Sequence, residues 1–324
     1  MLYPLTFRPI FKERVWGGRN LERLYQKQIP PGVPIGESWE ITDRPEGVSV
    51  IANGPLAGQD LRWLMEQHRA ALLGSEAADR FPLLIKILDA QEKLSLQVHP
   101  PAAVAARLGG EPKTEMWYIA DAAPGAELYA GLRSGVTREQ FEQKIQDGSV
   151  ADCVHKISVK AGDAMFLPSG RVHAIGAGNV IFEIQQNSDT TYRVFDWNRP
   201  GLDGKQRELH VAPSLASIDF HDFEPSLVRS RYSPNPSFKV RYLVHDPLFH
   251  ADACQVKRGQ RFYLRSASVE VIGLLRGKLS ITFQEHELRL RAGEFALLPA
   301  CLGRVALQAE TAVEFLQIQL GNRD

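Results

Sequence analysis

The sequence predicts a mainly β protein made of two sandwiches or barrels, the first carrying helical additions. Three observations predict it. Short apolar runs are separated by Pro-rich and Gly-rich turns over most of the chain. Helical signals concentrate early, and from Phe238 onward only short strand patterns remain. Finally, Ala161-Gly162-Asp163-Ala164-Met165-Phe166-Leu167-Pro168 recurs 131 residues later as Ala292-Gly293-Glu294-Phe295-Ala296-Leu297-Leu298-Pro299. A Gly beside an acidic residue, an apolar strand and then Pro is what a tight turn feeding a buried strand requires, so two copies of one β architecture are expected.

The elements follow from local pattern. Helices are expected over Leu61 to Leu73, after Pro100-Pro101 through Leu108, and over Thr137 to Gln146, where Thr137 with Gln140 resembles a capping box. In the first part strands are expected at Lys93 to His99, Val154 to Val159, Ala164 to Leu167, Val180 to Gln185 and Thr191 to Trp197. In the second they are expected at Lys239 to Val244, Ala251 to Val256, Gln260 to Leu264, Val269 to Leu275 and Lys278 to Phe283. Asp219 to Pro236, rich in Ser and Pro, is the natural linker.

Composition narrows the function. The 324 residues, 44% hydrophobic, are enough for a sizeable core and two domains. Lys plus Arg equals Asp plus Glu at 38 each, so no overall field draws the chain to nucleic acid or an anionic membrane, and an anionic ligand needs a local cluster. The N-terminal residues lack a signal-peptide pattern and no segment approaches a spanning length, which points to a cytoplasmic protein. Cys153, Cys254 and Cys301 are odd in number and widely spaced, and are expected to be bystander thiols.

Chemistry concentrates in four pieces. In Leu94-Ser95-Leu96-Gln97-Val98-His99-Pro100 a strand puts Ser95, Gln97 and His99 on one face, which either meets water or builds a site. Lys113-Thr114-Glu115-Met116-Trp117 sets Lys113, Glu115 and Trp117 on one face. Arg171-Val172-His173 follows the first copy of the repeat, whereas the second copy has Arg304 in place of His173 and so lacks that metal-capable residue. The fourth piece is Asp189-Thr190-Thr191-Tyr192-Arg193-Val194-Phe195-Asp196-Trp197. Gln97, His99, Glu115 and His173 together offer two imidazoles, a carboxylate and an amide oxygen, a set suited to a divalent ion such as zinc. Such scattered single ligands are less specific than a Cys-x-x-Cys pair. The other histidines are assigned nothing, and Gln284-Glu285-His286-Glu287 is better explained as a polar hairpin turn than as a second metal site.

These four pieces, with Gly170-Arg171-Val172-His173-Ala174 and Gln186-Asn187-Ser188-Asp189-Thr190-Thr191-Tyr192-Arg193 in order, resemble the signatures of the type I mannose-6-phosphate isomerases of the cupin superfamily. Arg14-Val15-Trp16-Gly17-Gly18 and Gly36-Glu37-Ser38-Trp39-Glu40 resemble the family's shorter bacterial form. The similarity spans about the first two thirds of the chain, and the large helical insertion of the longer eukaryotic members is missing. The resemblance implies two cupin-like jelly-roll barrels with helical additions to the N-terminal one, a catalytic domain over 1–225, and a metal-free domain over 226–324. It further implies one zinc ion on Gln97, His99, Glu115 and His173, an active-site role for Arg193, and reversible conversion of mannose 6-phosphate to fructose 6-phosphate through an enediolate. A monomer or homodimer acting on a small sugar phosphate is expected.

The remaining roles rest on chemistry. Arg193, always charged, can support the developing oxyanion or orient hydroxyls, unless it pairs structurally with Asp189 or Asp196. Lys113 is the first candidate for proton transfer, because a neighbouring cation makes a lysine a usable base, and it can equally anchor phosphate. Asp189 is the alternative base. Ser95, Lys86, Lys93 and Arg14 are candidates for charge-assisted or hydroxyl contacts with phosphate. Trp16 can wall the pocket, with Gly17 and Gly18 allowing close approach to the sugar, or can simply pack in a turn. Two other classes compete: an iron-dependent cupin oxygenase and a non-catalytic sugar-phosphate sensor. Glutamine among the ligands and the Lys113, Arg193 pair favour an anionic sugar, and a sensor would be expected to have lost ligands.

Overall fold

Two pairs of sheets form the molecule, and the computed structural model describes residues 1–74, 78–265 and 267–321 of them. The first pair comprises a six-stranded sheet in the order Ile10–Gly18, Ile35–Ile41, Leu83–Ala90, Asn179–Gln186, Glu115–Ala122 and Ala164–Leu167. Against it lies a five-stranded sheet in the order Tyr192–Phe195, Leu96–Val98, His173–Ile175, Glu127–Leu132 and Val154–Ser158. Leu88, Trp117, Ile119 and Ile181 from the first sheet share one buried cluster with Leu128, Ala130 and Ile175 from the second, so the inner faces pack as a sandwich.

The second half repeats this plan. A six-stranded sheet with Phe249–Val256, Val313–Leu320 and Glu270–Arg276 at its centre faces a four-stranded sheet of Arg261–Arg265, Arg304–Ala309, Lys278–Phe283 and His286–Arg291. Ile272, Leu274 and Phe315 meet Phe262, Ile281 and Leu307 between them. The two halves of the sequence repeat occupy matching places: Leu167 pairs with Glu115, and Leu298 pairs with Glu270. Gly162 at φ 93° and Gly293 at φ 84° make the turns before these strands, a conformation that a Cβ would strain.

The outer faces of the two six-stranded sheets share a further cluster, with Ile85, Ile87 and Phe182 on one side and Ala251, Leu316 and Ile318 on the other. Leu5, fully buried, joins them by exchanging two backbone hydrogen bonds with Leu297, at 2.9 and 2.8 Å. The observed architecture is therefore mainly β with open sheets in two packed pairs.

Several expected elements agree closely. The helix Leu61–Leu73 has the expected bounds, capped by the Asp60 side chain on the Trp63 amide. Arg138–Asp147 begins with the Thr137–Gln140 capping box and ends on Gly148 in the left-handed region. The Gln284-Glu285 turn does link two paired strands, with His286 opposite Phe283. Other expectations need correction. No strand was expected over Ile10–Gly18, Ile35–Ile41 or Leu83–Ala90, yet all three belong to the first sheet, the first of them as its edge. Leu83–Ala90 is buried along its whole length, so its apolar run carries no alternation that marks a strand. The strand expected over Lys93 to His99 contracts to Leu96–Val98.

Candidate metal centre and cavity

The two facing sheets bring the sequence-distant site residues together. His173 stands opposite Gln97 in the five-stranded sheet, and Arg193 stands opposite Gln97 on its other side. Glu115 opens a strand of the facing sheet, paired with Leu167 and Gln185. Leu96 and Val98 turn into an apolar cluster on the far side of their strand. Ser95, Gln97 and His99 consequently face the interior, not water, with Ser95 and His99 buried and Gln97 half-buried.

His99, Glu115 and His173 are each no more than 1% exposed, and their ligand atoms all lie within 4.8 Å of one another. His99 Nε2 is 3.2 Å from Glu115 Oε1, and His173 Nε2 is 3.8 Å from Glu115 Oε2. Each imidazole is oriented by its other nitrogen: His99 Nδ1 donates to the Thr190 carbonyl at 2.8 Å, and His173 Nδ1 donates to the Arg171 carbonyl at 2.9 Å. That fixes the tautomer and leaves both Nε2 lone pairs converging on one point, as metal-ligating histidines require. Gln97 Nε2 is 3.2 Å from His173 Nε2, and a half-turn of the amide brings its oxygen to the same point.

The electrostatics fit a cation. Burial pushes the Glu115 carboxyl up, but the Lys113 ammonium at 2.7 Å and the two imidazoles outweigh it and hold the group well below the usual range. Both Glu115 oxygens are fully enclosed and neither accepts a well-aligned hydrogen bond. Burial, aided by Lys113, lowers the His99 pKa, and burial with His99 beside it pushes His173 down to about 3. Two neutral imidazoles and an ionised carboxylate with unused lone pairs are a donor set ready for one divalent ion.

The centre adjoins a cavity of about 550 Å³. Gln97, Lys113, Asp189, Arg193, Ser95, Lys86, Arg14 and Trp16 all line it, so eight of the expected residues meet there. Lys93 does not line it: its ammonium rests over the rings of Tyr129 and Trp197, 5.5 and 4.8 Å from their centroids. Arg193 donates to the Glu208 carbonyl at 2.7 Å and leaves its buried Nε without a partner. Among the described residues it pairs with neither Asp189 nor Asp196, because Asp196 is taken by Arg199 and Arg207. Trp16 is a packed wall on the bulged strand Ile10–Gly18. Its glycines serve the protein, not the sugar: a Cβ on Gly17 would stand 2.4 Å from the Gly36 nitrogen, and one on Gly18 would stand 2.0 Å from Gln91 Cγ.

Among the charged lining residues given no role in the sequence are Glu37, Glu183 and Arg207. Glu37 and Glu183 flank Lys86 at 3.8 and 3.3 Å, and Glu183 accepts from Trp117 Nε1 at 2.9 Å. Arg207 lines the cavity while holding Asp196. A lone acidic residue inside Ile181-Phe182-Glu183-Ile184 was the one available signal for Glu183; Arg207, in a polar loop, offered none.

A polar cavity ending in a buried two-histidine, one-carboxylate cluster, in a β sandwich, defines a metal-dependent enzyme of small anionic substrates. Comparison with known proteins makes this specific. The family model of the phosphomannose isomerase type I catalytic domain matches residues 5–129. The mannose-6-phosphate isomerase of Streptococcus mutans is 36% identical over 300 residues, covering 92% of this chain and 93% of its own. The crystal structure of the Bacillus subtilis mannose 6-phosphate isomerase superposes with a TM-score of 0.89 at 29% identity, covering 98% of this chain and 99% of that one. A zinc-bound mannose 6-phosphate isomerase structure shares the fold at a TM-score of 0.78 and 17% identity, covering 99% of this chain and 100% of its own. The chain belongs to the mannose-6-phosphate isomerase family.

Proposed function

We propose that this chain interconverts mannose 6-phosphate and fructose 6-phosphate in the cavity beside His99, Glu115 and His173, using one zinc ion held by these residues and Gln97. The observation that carries the reading is Glu115: an ionised, fully enclosed carboxylate whose only close cation is Lys113, facing two imidazoles locked in the metal-ligating tautomer, with no well-aligned hydrogen bond to either oxygen among the described residues. Bound there, zinc supplies Lewis acidity toward the oxygens of the reacting carbonyl and its neighbouring hydroxyl.

The chain's own groups supply the rest. Moving a carbonyl between C1 and C2 needs a proton taken from one carbon and returned to the other, and Lys113 and Asp189 line the cavity for that transfer. Lys113 is the first choice because it is enclosed at the centre itself, next to where the cation would sit, whereas Asp189 lies exposed at the rim. Arg193, free of any carboxylate, stabilises negative charge on the sugar oxygens with its fixed cation. Ser95, Arg14 and Trp16 hold the sugar phosphate, the first two by hydrogen bonds and the last by its ring face. Lys86 contributes charge but is already shared between Glu37 and Glu183. The two packed sheet pairs support the finer reading of two cupin-like jelly rolls dividing at 1–225 and 226–324, the second with Arg304 where the first has His173.

The test is zinc content and isomerisation measured together. Wild-type protein should carry about one zinc per chain and convert the substrate, and His99→Ala, which deletes one of four ligands, should lower both by at least ~10-fold. Isomerase activity surviving in His99→Ala protein that holds no metal would sink the proposal.

A further inference from the structure

The segment expected to be a plain linker does more than connect. Residues 219–225 run beside the loop Pro168–Val172, which carries His173, and bond to it from both ends. The Asp219 amide donates to the Gly170 carbonyl at 2.9 Å, and the Gly170 amide donates to the His99 carbonyl at 2.8 Å. Three residues on, Asp222 receives the Arg171 guanidinium in a two-point grip, Nε to Oδ2 at 2.7 Å and Nη2 to Oδ1 at 2.8 Å. The third corner of that guanidinium donates from Nη1 to the Phe166 carbonyl at 2.7 Å, so Arg171 is clamped across its whole fork. The carbonyl of this same Arg171 orients the imidazole of His173.

The backbone of Asp222 is fixed in turn. Its carbonyl accepts from the Leu132 amide at 2.8 Å, while the Gly131 amide donates to the Val172 carbonyl at 2.8 Å. Gly131, at φ 68°, has no room for a side chain: a Cβ would stand 2.4 Å from Pro225 Cδ and 2.9 Å from the Asp222 carbonyl oxygen. One short segment thus holds the loop that carries His173 and, through Gly170, is linked to the backbone of His99.

We infer that residues 219–225 are a strap that positions the two metal-ligating imidazoles, with the Arg171–Asp222 pair as its positioning element. The inference rests on the metal reading proposed above. A paired guanidinium with 15% of its side chain exposed keeps one rotamer because all three of its nitrogens are held, and the carbonyl two residues before His173 inherits that order. Removing the carboxylate frees Arg171, lets its peptide turn, and loosens the hydrogen bond to His173 Nδ1. Outer-shell partners of ligating histidines are worth about 10–100-fold in metal affinity.

The experiment follows transfer of zinc from the loaded full-length chain to a chromogenic chelator, for wild type, Asp222→Asn and Asp222→Glu, with thermal melting of each. Asp222→Asn should bind zinc about 10-fold or more weakly, and Asp222→Glu, which retains the carboxylate, should recover part of that loss. A purely structural ion pair would instead lower the melting temperature and leave zinc affinity at the wild-type value; that outcome overturns the strap. Should Asp222→Asn fail to fold, Asp222→Glu and Arg171→Lys decide alone, and wild-type zinc affinity in both refutes the inference. Wild-type chain that holds no zinc would remove the metal reading itself, a failure visible before any variant is made.

Discussion

Lys86 sits between Glu37 and Glu183 with only 5% of its side chain exposed, and the three form one charged unit beneath the cavity. Burial opposes the Lys86 charge, but the two carboxylates outweigh it and raise its pKa. Burial likewise raises Glu37, yet Lys86 and Arg14 prevail and bring its carboxyl down from 4.5 to about 2. The sign follows: a depressed acid stabilises the fold at full strength above its ordinary value and loses that contribution as pH falls through its folded one. Thermal melting should therefore drop between about pH 4.5 and pH 2, and Glu37→Gln should flatten that part of the profile. An unchanged profile in the variant would assign acid unfolding to other groups. Single residues with a local motif, such as His99, Glu115 and His173, were legible in the sequence because their neighbours announce a strand and a turn. The roles of Glu37, Glu183 and Asp222 were not, since the cations they hold, Lys86 and Arg171, are distant in sequence.

At the scale of elements, the cavity wall depends on how closely Ile10–Gly18 and Ile35–Ile41 approach. Their register shifts between Lys12 and Glu13 and again before Gly18, and this bulge turns Arg14 and Trp16 toward the cavity. Gly36 lets them close: a Cβ there would stand 2.5 Å from Arg14 Cβ and 2.6 Å from Trp16 Cζ3. Gly36→Ala should push both side chains outward, raising KM for mannose 6-phosphate several-fold while zinc content stays at the wild-type level. A variant with unaltered KM would remove Arg14 and Trp16 from substrate binding. The elements with their own punctuation, the capped helix Arg138–Asp147 and the repeated turn-strand units, could be read directly. Ile35–Ile41 and Leu83–Ala90 could not, because a strand buried along its whole length shows no alternation, and bulges depend on a partner strand that sequence does not name.

The molecule as a whole is four sheet layers joined through the apolar backs of its two six-stranded sheets, and the N-terminal residues stitch that seam. Leu5 is fully buried there and bonded to Leu297 of the second half. Leu5→Ala should destabilise the protein by about 2–5 kcal/mol, measured by denaturant unfolding. A change under ~1 kcal/mol would mean that the seam closes without it. The repeat foretold two similar halves but not their back-to-back packing, which depends on outward-facing residues that look like any other core positions. The account turns on a single claim, that the enclosed cluster of His99, Glu115 and His173 holds the metal on which isomerisation depends. The most direct measurement is titration of metal-stripped chain with zinc while following formation of fructose 6-phosphate. Activity should rise from near zero and level off at about one equivalent per chain, as a one-ion centre requires. Full activity before any zinc is added, or no activity after saturation, would contradict the account.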